Sequence, residues 1–258
     1  MTSGTDEAMA NEFDTVAGWT AQVAMDLGPD YHVPAACRGS GQPAALDWLL
    51  KGLQPTPGDL LIDAGAGVGG PAAYASQWAG LRPILVEPEP DACRASRELF
   101  GFPVMQADAT RLPLPDGAAG LAWCLGVLCT TTGADAQLAI LRELARVVRP
   151  GGRIGLLVFL ATVTQLDDPP EGNHFPSPAA LTAMVGQAGL AVLDRALAAD
   201  LPRPPADWQE RTQAVESELE RRHQNHPAWR VAEEQSARIG HLLQQGQLQA
   251  QVLLLQRP

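Results

Sequence analysis

The sequence predicts an α/β fold built on a parallel sheet, and three observations predict it. Apolar runs alternate with helical patterns from residue 60 to residue 159. A glycine turn, "GAGVGG", closes the first of those runs, and a Pro-Gly-Gly turn precedes the fifth.

In chain order, the strand candidates are Leu60–Ala64, Pro83–Glu87, Pro103–Gln106, Gly120–Cys124 and Arg153–Phe159. Helices fall between them, near 70–79, 89–99 and 134–148. "VVRPGGRI" supplies a break before the fifth strand. "FPSP" reads as a cap before a helix at about 178–188, followed by a strand at 190–197 and a last strand, "QLQAQVLLLQ". Between those two strands lies a polar stretch, 204–245, entered through the stiff "LPRPPADW" and read as two helices. Pro227 fits a helix start after Asn225 or His226. Trp229, Ala232, Ser236, Ile239 and Leu243 then recur on one helical face, and Trp208, Val215 and Leu219 repeat the pattern before it. These faces pack on the domain or form a lid over a pocket, and the two are compatible. The expected division is a helical cap at 1–45, a core at 46–200, a helical lid at 201–246 and a final core strand at 247–258.

The bulk numbers exclude several classes. With 46% hydrophobic and 18% charged residues, the chain is globular rather than disordered. No apolar run reaches the ~18 residues of a transmembrane helix, and the N-terminus has no signal-like core. Cys37, Cys93, Cys124 and Cys129 lack metal or disulfide spacing, so reduced thiols and a cytoplasmic location are expected. The net charge is −11 and Lys51 is the only lysine, a poor match for a phosphate backbone. The expected partner is a small molecule, with no nucleic acid and no membrane; a homodimer stays open.

Gly65, Gly67 and Gly70 satisfy G-x-G-x-x-G, and Glu87 lies 20 residues after Gly67 at the end of the second strand. Alone, that is a dinucleotide fingerprint. A second grammar also fits: D-x-G-x-G-x-G across Asp63, Gly65, Gly67 and Gly69. A carboxylate at Asp63 would repel an arriving pyrophosphate at close range. It suits a cationic ligand instead. S-adenosylmethionine (SAM) carries a sulfonium, an ammonium and no phosphate. Glu87 can accept from both ribose hydroxyls, and Asp108, just past the third strand, can accept from the adenine amino group.

"LLIDAGAGVGG", "QADATRLPLPDGAAG" and "ELARVVRPGGRIGLLVF", in that order and spacing, resemble the class I SAM-dependent methyltransferase family over about residues 40–200. The resemblance implies a Rossmann-like, seven-stranded, mostly parallel sheet with helices on both faces. Its last strand would be antiparallel, with N-terminal and C-terminal helical cap elements added. It implies that Asp63, Gly65, Ala66, Gly67 and Gly69 line the methionine part of SAM. Glu87 would hold the ribose and Pro88 would flank the adenine, with Asp108 and Ala109 at the adenine edge. Leu125 would lie near the methyl group. Tyr31 and "RGSG", Arg38–Gly41 with Ser40, would cover the cofactor. "GVGGPA" resembles the loop of methyltransferases of specialised metabolism, acting on sterol-like, quinone-like or sugar-bearing acceptors. S-adenosylhomocysteine (SAH) would be the product.

Two departures from the family pattern leave the catalytic base open. The fourth strand, "AAGLAWCLGVL", lacks the acid that relatives often carry near its start, and "CTTTGAD" has no paired histidines. Methyl transfer is an in-line displacement whose main demand is alignment, and a base is needed only when a proton must leave early. His174, in the loop after the fifth strand, is the base candidate; anchoring that loop is its other reading. His32 is second. Cys129 and Thr130–Thr132 follow the fourth strand and either line the pocket or pack. Trp19, Tyr31, Phe175, Trp208 and Trp229 lie outside the core sheet, where aromatics can wall an apolar acceptor. His223 and His226 read as solvated lid residues rather than metal ligands, and no metal is expected. Two other functions stay open: a non-catalytic SAM or SAH binder, and a nicotinamide-dependent oxidoreductase. Asp63 and the absence of a Tyr-x-x-x-Lys pair argue against the second.

Overall fold

The computed structural model describes residues 4–39, 41–131 and 133–258, with side chains from residue 12 onward. Seven strands form one sheet: β1 (Leu60–Ala64), β2 (Arg82–Glu87), β3 (Val104–Gln106), β4 (Ala119–Leu125), β5 (Val148–Ala161), β6 (Ala191–Leu197) and β7 (Leu248–Gln256). Their order is β3-β2-β1-β4-β5-β7-β6, and β7 runs antiparallel to both of its neighbours. The expected α/β class, seven strands and reversed last strand are therefore what the chain adopts. Period two along the strands explains the two-faced core. Ile62, Ala122, Leu156 and Val158 face α6 (Ala134–Val147) and α7 (Pro178–Gln187). Leu61, Trp123 and Leu157 face α3 (Pro43–Leu53) and α4 (Gly70–Ala79). Ser177 caps α7 by accepting from the Ala180 N–H, as "FPSP" predicts.

The strand order reverses beside β1, so a crevice opens at the carboxyl ends of β1 and β4. A second layer of helices stands over that end. It comprises α1 (Gly4–Leu27), α2 (Pro29–Ala36), α8 (Ala206–His223) and α9 (Pro227–Gln244). They share an apolar cluster, including Val16, Val23, Val215, Leu219 and Trp229, with Ala92 and Leu99 of α5 (Pro90–Phe100). Cap and lid therefore pack on each other as well as on the sheet. No helix among the described residues is long and apolar enough to cross a membrane.

Three local readings are corrected. Pro150-Gly151-Gly152 does not interrupt the chain before β5. Ala119 pairs with Val148 and Leu121 with Arg153, so the glycines form a bulge inside one long strand. On α9, Trp229, Ala232 and Leu242 are buried while Ser236 is exposed and Leu243 is 37% exposed. The two ends of α9 join different clusters, Trp229 that of the cap and Leu242 that of Cys129, Phe175 and Leu248, so no single face persists. His223 is not simply solvated: it stacks on Trp19 at 3.9 Å between ring centres, and His226 meets the same ring edge-on at 4.8 Å.

Candidate cofactor and acceptor site

The turn after β1 is shaped by what crowds it. Gly65 has φ 74°, a left-handed conformation open to glycine, and a Cβ there would overlap Val127 Cγ2. A Cβ on Gly70 would overlap the backbone at Ala36 and Cys37, so the end of α2 sits directly on the start of α4. From above, α1 closes the turn. The Phe13 ring lies 3.6 Å from where a Gly67 Cβ would be. Asp14 Oδ1 accepts from the Asp91 and Ala92 N–H groups at 2.6 and 3.1 Å, tying α1 to the start of α5. Neither Val127 nor Phe13 is marked by a motif. Only the fold brings them to the turn.

Asp63 is the penultimate residue of β1, on the face of Leu61, 1% exposed, with Trp123 as its register partner on β4. Asp63 Oδ2 and Trp123 Nε1 are both buried without a hydrogen-bond partner. Burial lifts the Asp63 carboxyl to about 7; the nearby indole opposes the shift and the charge of Glu87 adds to it. Such a group is a costly acceptor left waiting for a donor or a cation.

Glu87 differs. It is 3% exposed, and its two oxygens accept from the Gly67 N–H at 2.7 Å and the Glu89 N–H at 3.1 Å. Burial raises it to about 7 against those two bonds. Glu87 therefore holds the glycine turn as well as offering its remaining lone pairs. Pro88 is exposed beside it. Asp108 is an exposed turn residue whose Oδ1 accepts from the Thr110 N–H at 2.7 Å; Ala109 is buried behind it. Leu125 ends β4, buried, next to Gly126 and Val127.

Two cavities stand out among the described residues. One, of about 310 Å³, opens between the segment after α2 and helix α8, with Cys37, Arg38, Gly39, Trp208, Thr212 and Glu216 among its walls. The other, of about 730 Å³, lies at the carboxyl end of β5 and is lined by Thr162, Thr164, Gln165, Asn173, His174 and Phe175, among others, with no Asp, Glu, Lys or Arg among the described residues that wall it. His174 is anchored through its backbone: its N–H donates to the Cys129 carbonyl at 2.8 Å, and its carbonyl accepts from Gln137 Nε2 at 2.8 Å. Its side chain is exposed and has no partner among the described residues.

The other expected residues do not share one pocket. Cys129 and Phe175 meet in a small cluster behind His174. Trp208 lines the smaller cavity and meets Tyr74 edge-on at 6.1 Å. Trp19 is occupied by the two histidines, His32 packs edge-on against Phe100 at 6.4 Å, and Tyr31 packs into the cap cluster. Amphipathic spacing marks such aromatics as buried without saying against what, so one wall cannot be read from it. Ser40 and Thr132 lie outside the described residues. All four cysteines are free and buried. Among the described residues, no group of three or more His, Cys, Asp or Glu side chains gathers as a metal set.

Residues 62–156 match the family model described as a methyltransferase domain. That segment holds Asp63, the glycine turn, Glu87 and Asp108. Over that segment, less than half of its length, the chain is similar to the class I SAM-dependent methyltransferases. Methyltransferase GfsG of Streptomyces halstedii is 28% identical over 127 residues, 46% of this chain and 44% of that protein. The match thus spans less than half of that relative's length. Two of the solved structures that share the fold are similar over most of this chain. The cyclopropane synthase MmaA2 from Mycobacterium tuberculosis gives a TM-score of 0.66 at 14% identity, over 92% of this chain and 97% of that one. The [4+2]-cyclase SpnF gives 0.62 at 20% identity, over 83% and 79%.

Proposed function

We propose that the protein methylates an uncharged small molecule of specialised metabolism, using SAM bound at the β1 turn. The observation that carries the reading is Asp63, a buried carboxylate with one unpartnered oxygen at the end of β1. A sulfonium amino acid brings the cation and the N–H donors that this oxygen lacks, whereas a pyrophosphate would meet repulsion. The rest of the turn fits the same ligand: Glu87 for the ribose, exposed Pro88 for the adenine face, and Asp108 Oδ2 for the adenine amino group. When bound, SAM supplies a methyl group already activated by its sulfonium.

This chain's own residues then align the partners and exclude water. Phe13 and Val127 cover the turn from opposite elements. The larger cavity would seat the acceptor; its hydroxyl, amide and aromatic lining suits a neutral, partly hydroxylated compound. His174 would take the proton of a hydroxyl acceptor there. The name of GfsG, a methyltransferase of a Streptomyces species, is in keeping with this reading. The test is a panel of neutral hydroxylated acceptors incubated with SAM and followed by mass spectrometry. One acceptor gaining a methyl group is expected. His174→Ala should then lose most turnover while binding SAH as before. Full turnover in that variant would remove His174 as the base.

A further inference from the structure

Trp123 and Asp63 are register partners on adjacent parallel strands, so their side chains leave the sheet on one face. Both are enclosed: Trp123 is 0% exposed and Asp63 1%. Each carries a buried polar atom without a partner, Nε1 of the indole and Oδ2 of the carboxyl. The first can only donate, and the second accepts whenever the acid is ionised. The indole is close enough to oppose the upward shift of the acid, yet the pair falls short of hydrogen-bond geometry. A buried donor and a buried acceptor left open on one face are both costly, and packing alone does not call for an indole N–H. Among the described residues, the other ionisable groups coupled to Asp63 are Glu87 on β2, Cys37 after α2 and Cys124 on β4. The charge of Glu87 opposes ionisation of Asp63. The two thiols, pushed up first by burial and then by Asp63, stay neutral. Of these neighbours, the indole alone favours the carboxylate.

We propose that Trp123 is a positioning residue for the methyl donor: its indole N–H is reserved for the ionised carboxylate of Asp63, and that bond closes when the cationic tail of the donor displaces the proton from the acid. The proposal rests on the methyl-donor reading above and deepens it. With Asp63 raised to about 7, the free protein keeps the proton at and below neutral pH. An ammonium or sulfonium beside the acid favours its charged form, and the proton leaves to solvent. The indole then occupies one lone pair of the carboxylate and leaves the others for the ligand. Donor affinity is thereby tied to pH through a side chain sealed in the core.

Calorimetric titration with SAH between about pH 5.5 and 8.5 tests this on wild type, Trp123→Phe and Asp63→Asn. Trp123→Phe keeps a ring in the core and deletes the N–H. Wild-type affinity should fall below about pH 7, approaching about tenfold per unit. In Trp123→Phe the midpoint of that fall should move up by about one pH unit. At about pH 6 the variant then binds SAH about tenfold more weakly than wild type, and at about pH 8.5 within about twofold of it. In the Asp63→Asn background the same substitution should leave the profile unchanged, and any slope remaining there belongs to Glu87. An unmoved midpoint in Trp123→Phe, or a loss of equal size at every pH, would reduce the indole to packing and overturn the proposal. Should Trp123→Phe fail to fold, proton NMR of the free wild type decides. One of the six indole N–H signals should move downfield as pH rises through about 7, and Asp63→Asn should abolish that movement. An indole spectrum without any Asp63-dependent movement would overturn the proposal equally. Wild-type protein that binds no SAH at any pH would refute the methyl-donor reading itself.

Discussion

Two buried carboxylates at the same turn stand in opposite positions. Asp63 has an oxygen with no partner, while Glu87 satisfies two backbone N–H groups. Removing their charges should therefore move stability in opposite directions. Asp63→Asn should melt at a higher temperature than wild type at pH 8, because it removes a buried charge. Glu87→Ala should melt lower, because the partly buried Gly67 N–H loses its acceptor. Both should lose SAH affinity by at least about tenfold, about 1.4 kcal/mol. The pH dependence follows from the same groups. Both pKa values are raised to about 7, so the folded chain holds these protons more tightly than the unfolded chain does. Their stabilising contribution is present in full below about pH 4, declines as pH rises, and is gone above about pH 7. Thermal melts of the free protein across that window should show the decline, and Asp63→Asn should flatten it.

At the scale of elements, the contact that sets the site is α2 against α4. Gly70 admits the backbone of Ala36 and Cys37 where any side chain would collide. Gly70→Ala should therefore cost about 1–3 kcal/mol and weaken SAH binding together, as the cap is pushed from the turn. Urea unfolding alongside titration checks this; an unchanged midpoint would mean that α2 yields freely. These elements were mostly legible in the sequence. The β1 turn, the β2 acid and the serine cap of α7 are local patterns, set by period, spacing and backbone chemistry within a few residues. The bulge in β5 was not legible, because Pro-Gly-Gly can end a strand or distort one, and only pairing with β4 decides. The face of α9 was not, because its two ends answer to two separate clusters.

For the whole molecule, the sheet is a platform and the helical layer determines what reaches it. Arg38 Nε donates to Glu216 Oε1 across 178 residues of chain, and no spacing rule connects them. The same holds for Phe13 over Gly67, Val127 over Gly65, and His174 against Cys129. Candidates for the cofactor half could be named from the sequence because one stretch of chain carries most of them. The acceptor half depends on long-range packing among the segments after β4 and β5 and the cap. The central claim is that the β1 turn is built for a cationic adenosyl ligand. The most direct measurement is side-by-side calorimetric titration of the purified protein with SAM, SAH and NAD(P)H. Micromolar binding of SAM and SAH with no heat from NAD(P)H is the predicted result. Binding of NAD(P)H in preference to both would contradict the account and return the turn to a pyrophosphate ligand.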